Sequence, residues 1–164
     1  AAISVVICYG SKVSEIDSFN PIEFRLQYKG DHNGVAIYND SKSTNFYALN
    51  SAINAVANRK VLLILGGKNH QDKAYRFNNT SHIKRIYFYG ENVEEMNAIF
   101  ADGDYERYEY NNLEEVISNL KFQDVDCLLF SPGSVSYDQY PSFEERGRHF
   151  DYLIEKYLKT IYLN

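Results

Sequence analysis

The sequence has little cysteine, no long apolar run and no excess of positive charge. Each shortage removes a class of function. Cys8 and Cys127 are the two cysteines in 164 residues, too few for a disulfide framework or a cysteine-based zinc site, and they fit a reducing compartment. Catalytic thiol chemistry is a weaker reading of the pair. No apolar stretch reaches membrane-spanning length, so membrane insertion is not expected. The opening segment Ala1-Ala2-Ile3-Ser4-Val5-Val6-Ile7-Cys8-Tyr9 has no initiator Met, basic flank or cleavage pattern. It reads as the tail of a helix from an upstream domain. The formal net charge is −5, which argues against nucleic-acid binding driven by phosphate neutralisation. A nucleotide remains possible, because one basic pocket can sit on an acidic surface.

What is present suits a globular domain of ordinary size. Apolar residues make up 45% and charged residues 24%, both near globular averages. The pattern alternates strands and helices. Glu23 to Lys29 alternates as a strand, Asp31-His32-Asn33-Gly34 reads as a turn, and Val35 to Tyr38 as the returning strand, so a hairpin is expected. A helix is predicted over 44–58, with Leu49, Ala52, Ile53 and Val56 on one face. Lys60 to Leu65 is continuously apolar, as in a strand covered on both faces, and Gly66-Gly67 ends it. Further strands are expected at 85–89, 105–110 and 125–130, and helices at 93–100, 113–120 and 142–157. The order implies an α/β, Rossmann-like, largely parallel sheet of about six strands. One antiparallel strand comes from the N-terminal hairpin, and helices flank both faces. Ligands of such sheets sit beyond the carboxyl ends of the strands.

Three polar segments follow strands in this reading. Asn39-Asp40-Ser41-Lys42-Ser43-Thr44-Asn45 precedes a helix, where free N–H groups and the dipole favour anions. Its residue types are equally the usual helix caps. Gly66-Gly67-Lys68-Asn69-His70 either lets a ligand approach the backbone or simply ends a strand. It lacks the GKS or GKT of a Walker loop. Ser131 to Gly147 again opens a helix. Its G-S-V-S string is not a nucleophile elbow, because no glycine follows at the required place. Arg146 suits bidentate anion binding or a surface pair with Glu144 or Glu145. No Cys/His metal cluster is visible, so no metal is assigned to these residues. The residues alone support an α/β domain that binds a small anionic ligand, and they name no reaction.

Together the segments resemble a known family. Asn39-Asp40-Ser41-Lys42-Ser43-Thr44-Asn45 resembles the NDSKATN motif of the UDP-N-acetylmuramoyl-L-alanine:D-glutamate ligases. Leu63-Ile64-Leu65-Gly66-Gly67 resembles the strand and loop that follow it. Ser131 to Gly147 resembles the family's SPACASFDQFxxFExRG. Phe24-Arg25 stands where the family has His-Arg, and His32-Asn33-Gly34-Val35 matches the intervening turn. The likeness covers roughly residues 18 to 158, with the motifs in family order.

The resemblance implies a three-domain, ATP-dependent cytoplasmic bacterial enzyme of peptidoglycan synthesis, of which this chain resembles the last domain. Residues 1–17 would end the central ATPase domain or linker, and 18–164 would form the C-terminal domain. That domain would pack on the enzyme's own central and N-terminal domains in a monomer. The substrates would be ATP, UDP-N-acetylmuramoyl-L-alanine and D-glutamate, with Mg2+ held mainly by the central domain. An acyl phosphate forms on the alanyl carboxylate and the glutamate amine displaces phosphate. By family position, Arg25, Asp40 and Lys42 face ATP, the guanidinium toward phosphate and the carboxylate toward ribose. Thr44, Ser136, Tyr137 and Phe143 surround D-glutamate, and Lys42 and Arg146 serve the closed catalytic site. Relatives carry a basic residue after the glycine pair, whereas this chain has Lys68 and His70 as candidates for that cation. The alternatives are another Mur or folylpolyglutamate-type amide ligase, or a non-catalytic nucleotide-binding module.

Overall fold

The computed structural model describes residues 22–68 and 75–158. Cys8, His70 and the reading of residues 1–17 as the end of a preceding domain lie outside the described residues.

Asn33 and Gly34 both take positive φ, 53° and 80°, the two-residue turn whose twist matches antiparallel strands. It joins β1 (Gln27–His32) to β2 (Val35–Asn39), paired antiparallel from His32↔Val35 onward. The remaining elements are α1 (Phe46–Ala55), β3 (Val61–Gly66), β4 (Ile83–Tyr89), α2 (Val93–Ile99), β5 (Glu106–Tyr110), α3 (Leu113–Ser118), β6 (Cys127–Phe130) and α4 (Phe143–Leu158). The six strands lie in the order β1-β2-β6-β3-β4-β5, and every pair but the hairpin is parallel.

Strand alternation divides the core. Val61, Leu63 and Leu65 face α1 and α2 with Leu49, Ile53 and Met96. Leu62 and Ile64 face α3 and α4 with Val116, Phe150 and Leu153. All five β3 side chains are inaccessible to solvent, which explains the unbroken apolar run. Each contributes about 1.5–3 kcal/mol by leaving water. The expected doubly covered sheet is therefore the observed one.

The first strand begins later than its alternation suggests. Phe24 and Leu26 adopt positive φ, 58° and 42°, and cannot continue a strand. The Phe24 side chain is buried, and the Leu26 N–H donates to the Asp40 carboxylate rather than to a sheet partner (2.8 Å). The tertiary contacts of this segment outweigh its local pattern. Lys29 then pairs with Asp151 of α4 (2.7 Å), tying the edge strand to the helix that covers it.

Candidate functional site

The carboxyl ends of β2, β6, β3 and β4 release four loops side by side, and buried polar side chains lace them together. Asn39 closes β2. Its amide nitrogen donates to the Gly147 carbonyl and to Asp151 in α4 (both 2.9 Å), and its oxygen accepts from the Ser41 N–H (3.1 Å). Asn45 caps α1 by accepting from the Ala48 N–H (2.9 Å), so one residue of the polar segment is a cap in the usual sense.

Arg146 joins the first and third segments. It has no solvent exposure. Its Nε donates to the Ser41 hydroxyl (3.0 Å), Nη2 to the Ser41 carbonyl (2.8 Å) and Nη1 to the Ser134 carbonyl (2.9 Å). The Ser41 hydroxyl in turn donates to the Phe143 carbonyl (2.8 Å). No acidic side chain among the described residues forms an ion pair with Arg146. Burial pulls its pKa down, and Tyr89, Asp138 and Tyr140 oppose that pull.

The glycine loop is held between these layers. The Lys68 N–H donates to the Val135 carbonyl (2.9 Å) and the Asn92 N–H to the Gly67 carbonyl (3.1 Å). Gly67 has φ of 129°, and a Cβ there would lie 2.3 Å from the Val135 carbonyl oxygen. Here the glycine is required by close backbone approach and not only by the end of the strand. The Lys68 ammonium pairs with Glu91 (3.2 Å). Asn92 donates to the Ser134 hydroxyl (2.6 Å). Asp138 accepts from the Glu91 N–H (3.3 Å), and partial burial raises its pKa.

Arg25, Leu26, Asp40, Lys42, Ser43, Ala48, Ser51 and Ala52 line one pocket of about 260 Å³. It brings the three expected nucleotide-facing residues together. Arg25 is exposed, and the Lys42 ammonium lies 4.6 Å above the Phe143 ring. Asp40 is only 5% exposed. Burial pushes its carboxyl up to about 6, against hydrogen bonds from Ser131 and Leu26 and the charges of Arg25 and Arg146, which pull it down.

That shift has a sign. An unfolded aspartate titrates near 3.9, so the folded chain takes up this proton first. The ionised carboxylate costs stability above about pH 6, and the cost fades between about pH 6 and 4. Asp40→Asn is therefore expected to raise the unfolding free energy at pH 7.5 by about 1–3 kcal/mol, with the gap closing by pH 4. Urea melts at the two pH values measure it, and a difference independent of pH would exclude burial of the charge as its cause.

The expected D-glutamate residues lie on the first and third loops and are not among the residues lining that pocket. Thr44 and Phe143 are half-buried. Ser136 is buried, its carbonyl accepting from the Gln139 and Tyr140 N–H groups. Tyr137 is 69% exposed. Sequence reasoning did not single out Asn39, Ser41, Ser131, Ser134 or Gly147. Gly147 carried a usable signal, since glycine inside a helix costs about 1 kcal/mol unless space demands it. A Cβ there would meet the Phe24 ring at 2.4 Å.

No family model matches the sequence. Among curated proteins, the UDP-N-acetylmuramoylalanine–D-glutamate ligase of Petrotoga mobilis is 34% identical over 145 residues, covering 86% of this chain and 33% of the relative. The same-named ligase of Caldicellulosiruptor bescii is 30% identical over 175 residues, covering 98% of this chain and 37% of the relative. The chain belongs to the Mur ligase family and matches its C-terminal domain. It spans about a third of the length of the curated relatives it matches. A murein peptide ligase from Psychrobacter arcticus 273-4 shares the fold, with a TM-score of 0.58 at 11% identity over 99% of this chain and 36% of that one. In this Mur ligase domain, then, the motif-bearing loops meet at one end of the sheet. Among the described residues, no helix is long and apolar enough to cross a membrane, and no group of three His, Cys, Asp or Glu side chains gathers to hold a metal.

Proposed function

We propose that this chain is the closing C-terminal domain of a cytoplasmic, ATP-dependent bacterial ligase that joins D-glutamate to UDP-N-acetylmuramoyl-L-alanine. The observation that carries the reading is the meeting of three segments at the carboxyl ends of parallel strands. The buried Arg146 joins Asn39–Asn45 to Ser131–Phe143, and the Lys68 N–H ties the Gly66–Lys68 loop to Val135. The similarity to ligases named for D-glutamate supports the choice of amino acid.

On this reading the exposed Arg25 and the ring-stacked Lys42 meet the nucleotide phosphates as cations, with Asp40 on the ribose side of the same pocket. Thr44, Ser136, Tyr137 and Phe143 form the rim for D-glutamate, and Lys68 or His70 receives its side-chain carboxylate. If Lys68 is that cation, it exchanges Glu91 for the ligand. Arg146 fixes the loops that carry these groups. Mg2+ would be held mainly by the central domain, as the family resemblance implies. When the domain closes, water is excluded from the substrate's acyl phosphate. The glutamate amine then adds to the acyl carbon, a C–N bond forms, and the C–O bond to phosphate breaks.

The test is phosphate release. The complete ligase releases phosphate only when ATP, UDP-N-acetylmuramoyl-L-alanine and D-glutamate are all present. The isolated chain is expected to release none above background, because it has no phosphate-binding P-loop. Turnover by the chain alone comparable to that of the complete ligase would overturn the fragment reading. Preference of the complete ligase for another amino acid would overturn the D-glutamate assignment and favour a different Mur-type ligase.

A further inference from the structure

We infer that Asp40 is a positioning residue: it latches the Phe24-Arg25-Leu26 turn in the shape that presents Arg25 to the nucleotide. This deepens the nucleotide reading of the pocket and rests on it.

Both oxygens of the Asp40 carboxylate are already engaged inside the chain. Oδ1 accepts from the Leu26 N–H (2.8 Å) and Oδ2 from the Ser131 hydroxyl (2.7 Å). Its backbone is equally fixed, donating to the Phe130 carbonyl (2.7 Å) and accepting from the Ser43 N–H (2.8 Å). The carboxylate is thus anchored to β6 and grips the turn by one backbone amide.

The turn needs a grip. Phe24 and Leu26, on either side of Arg25, take φ of 58° and 42°. Residues other than glycine rarely sit there, and each such residue is strained. Such strain persists only where the surroundings over-determine it. Within the turn the Phe24 N–H donates to Gln27 Oε1 and the Arg25 N–H to the Ile22 carbonyl (both 3.2 Å), and three contacts tie it to the rest of the fold. The Phe24 ring is buried against Gly147. The Phe24 carbonyl accepts from the Lys42 N–H (3.0 Å). The Leu26 N–H meets Asp40. Arg25 is the exposed residue between two pinned neighbours. Its guanidinium is aimed by the turn, and the turn is closed by Asp40. The charged groups facing this carboxylate are Arg25 and Arg146, so the same cation that the latch presents also favours its ionised form.

A double-mutant cycle in the complete ligase tests the latch. Arg25→Ala and Asp40→Ala are each expected to raise the KM for ATP about tenfold. The double variant should match Arg25→Ala alone, because a latch has nothing to position once the guanidinium is gone. A double variant near the product of the two, about a hundredfold, would mean that Asp40 meets the nucleotide independently, and overturns the inference. Hydrogen exchange supplies a readout that needs no nucleotide. In Asp40→Ala the Leu26 amide should exchange at least about tenfold faster while α4 amides are unchanged, and Asp40→Asn should restore protection through its remaining carbonyl oxygen. Unchanged Leu26 protection in Asp40→Ala also overturns the latch. If Arg25→Ala leaves the ATP dependence untouched, the nucleotide reading of the pocket falls instead, and the Leu26 exchange still decides the latch.

Discussion

Arg146→Met is expected to lower the unfolding free energy by about 3–5 kcal/mol, the cost of leaving buried acceptors without their donor. The guanidinium is fully buried and serves three acceptors: the Ser41 hydroxyl and the Ser41 and Ser134 carbonyls. Methionine fills much of the volume but donates nothing, so the Ser41 and Ser134 carbonyls lose their partner in a buried site, while the Ser41 hydroxyl keeps only its bond to the Phe143 carbonyl. Each orphaned group costs about 1–3 kcal/mol. Relief from burying a charge offsets part of this, which is why the sum falls short of the maximum. Domains of this kind have about 5–15 kcal/mol in all, so the variant approaches the limit of folding. Arg146→Lys should fall between, since an ammonium cannot span the fork geometry of the three acceptors. Urea unfolding with an unchanged m-value measures the loss. A cost below about 1 kcal/mol would mean that Ser41 and Ser134 find other partners, and the arginine would not be what joins the two loops.

Gly67→Ala is expected to be nearly as costly, at about 2–4 kcal/mol, the range of strain and overpacking at a special backbone position. Gly67 has φ of 129°, and its Cβ would stand 2.3 Å from the Val135 carbonyl oxygen and 3.2 Å from Arg146 Nη1. Backbone cannot yield like a flexible side chain. The β3 loop must move away from the Ser134-Val135 segment, breaking the hydrogen bond from the Lys68 N–H to the Val135 carbonyl. Calorimetry should show the melting point falling by roughly 4–16 °C for a domain of this size. If Lys68 holds D-glutamate as proposed, the D-glutamate KM of the complete ligase should also rise at temperatures where the variant is still folded, because Lys68 moves with the loop. A melting point within about 2 °C of the parent would show that the approach of the two loops can relax without consequence.

The elements with one strong period were legible in the sequence. The run Lys60 to Leu65 reads as a strand covered twice, and β3 is buried on both faces. Leu49, Ala52, Ile53 and Val56 read as one helix face, and all four are buried. The turn at Asn33-Gly34 was legible because few residue pairs accept positive φ at both positions. The start of β1 was not. Glu23 to Lys29 alternates like a strand, but Phe24 is drawn into a hydrophobic contact over Gly147, and the Leu26 amide is taken by a carboxylate fourteen residues away. Periodicity cannot register such partners, because they are set by how β2 and α4 come to lie beside the turn.

The chemical inventory of the loops was legible as well, and its arrangement was not. Arg146 could be read as an anion ligand or as a surface partner of Glu144 or Glu145. In the fold Glu145 pairs with Arg148 instead (2.6 Å), and Arg146 turns inward to Ser41 and Ser134. Helical phase decides this: Arg146 and Gly147 lie on the buried side of α4 with Phe150, whereas Arg148 points out.

Residue order by itself determined the α/β class, the hairpin, the run of parallel strands and the family, because these rest on local periods and contiguous motifs. Only the tertiary structure decided which polar residues build the site and which present it. Asp40 stands beside Ser131 and Leu26, and Arg146 beside Ser41, because the parallel order places the ends of β2, β6 and β3 together. The physical reason is that a buried polar group must find its partner in space. Sheet order supplies that partner from positions about a hundred residues apart in the chain.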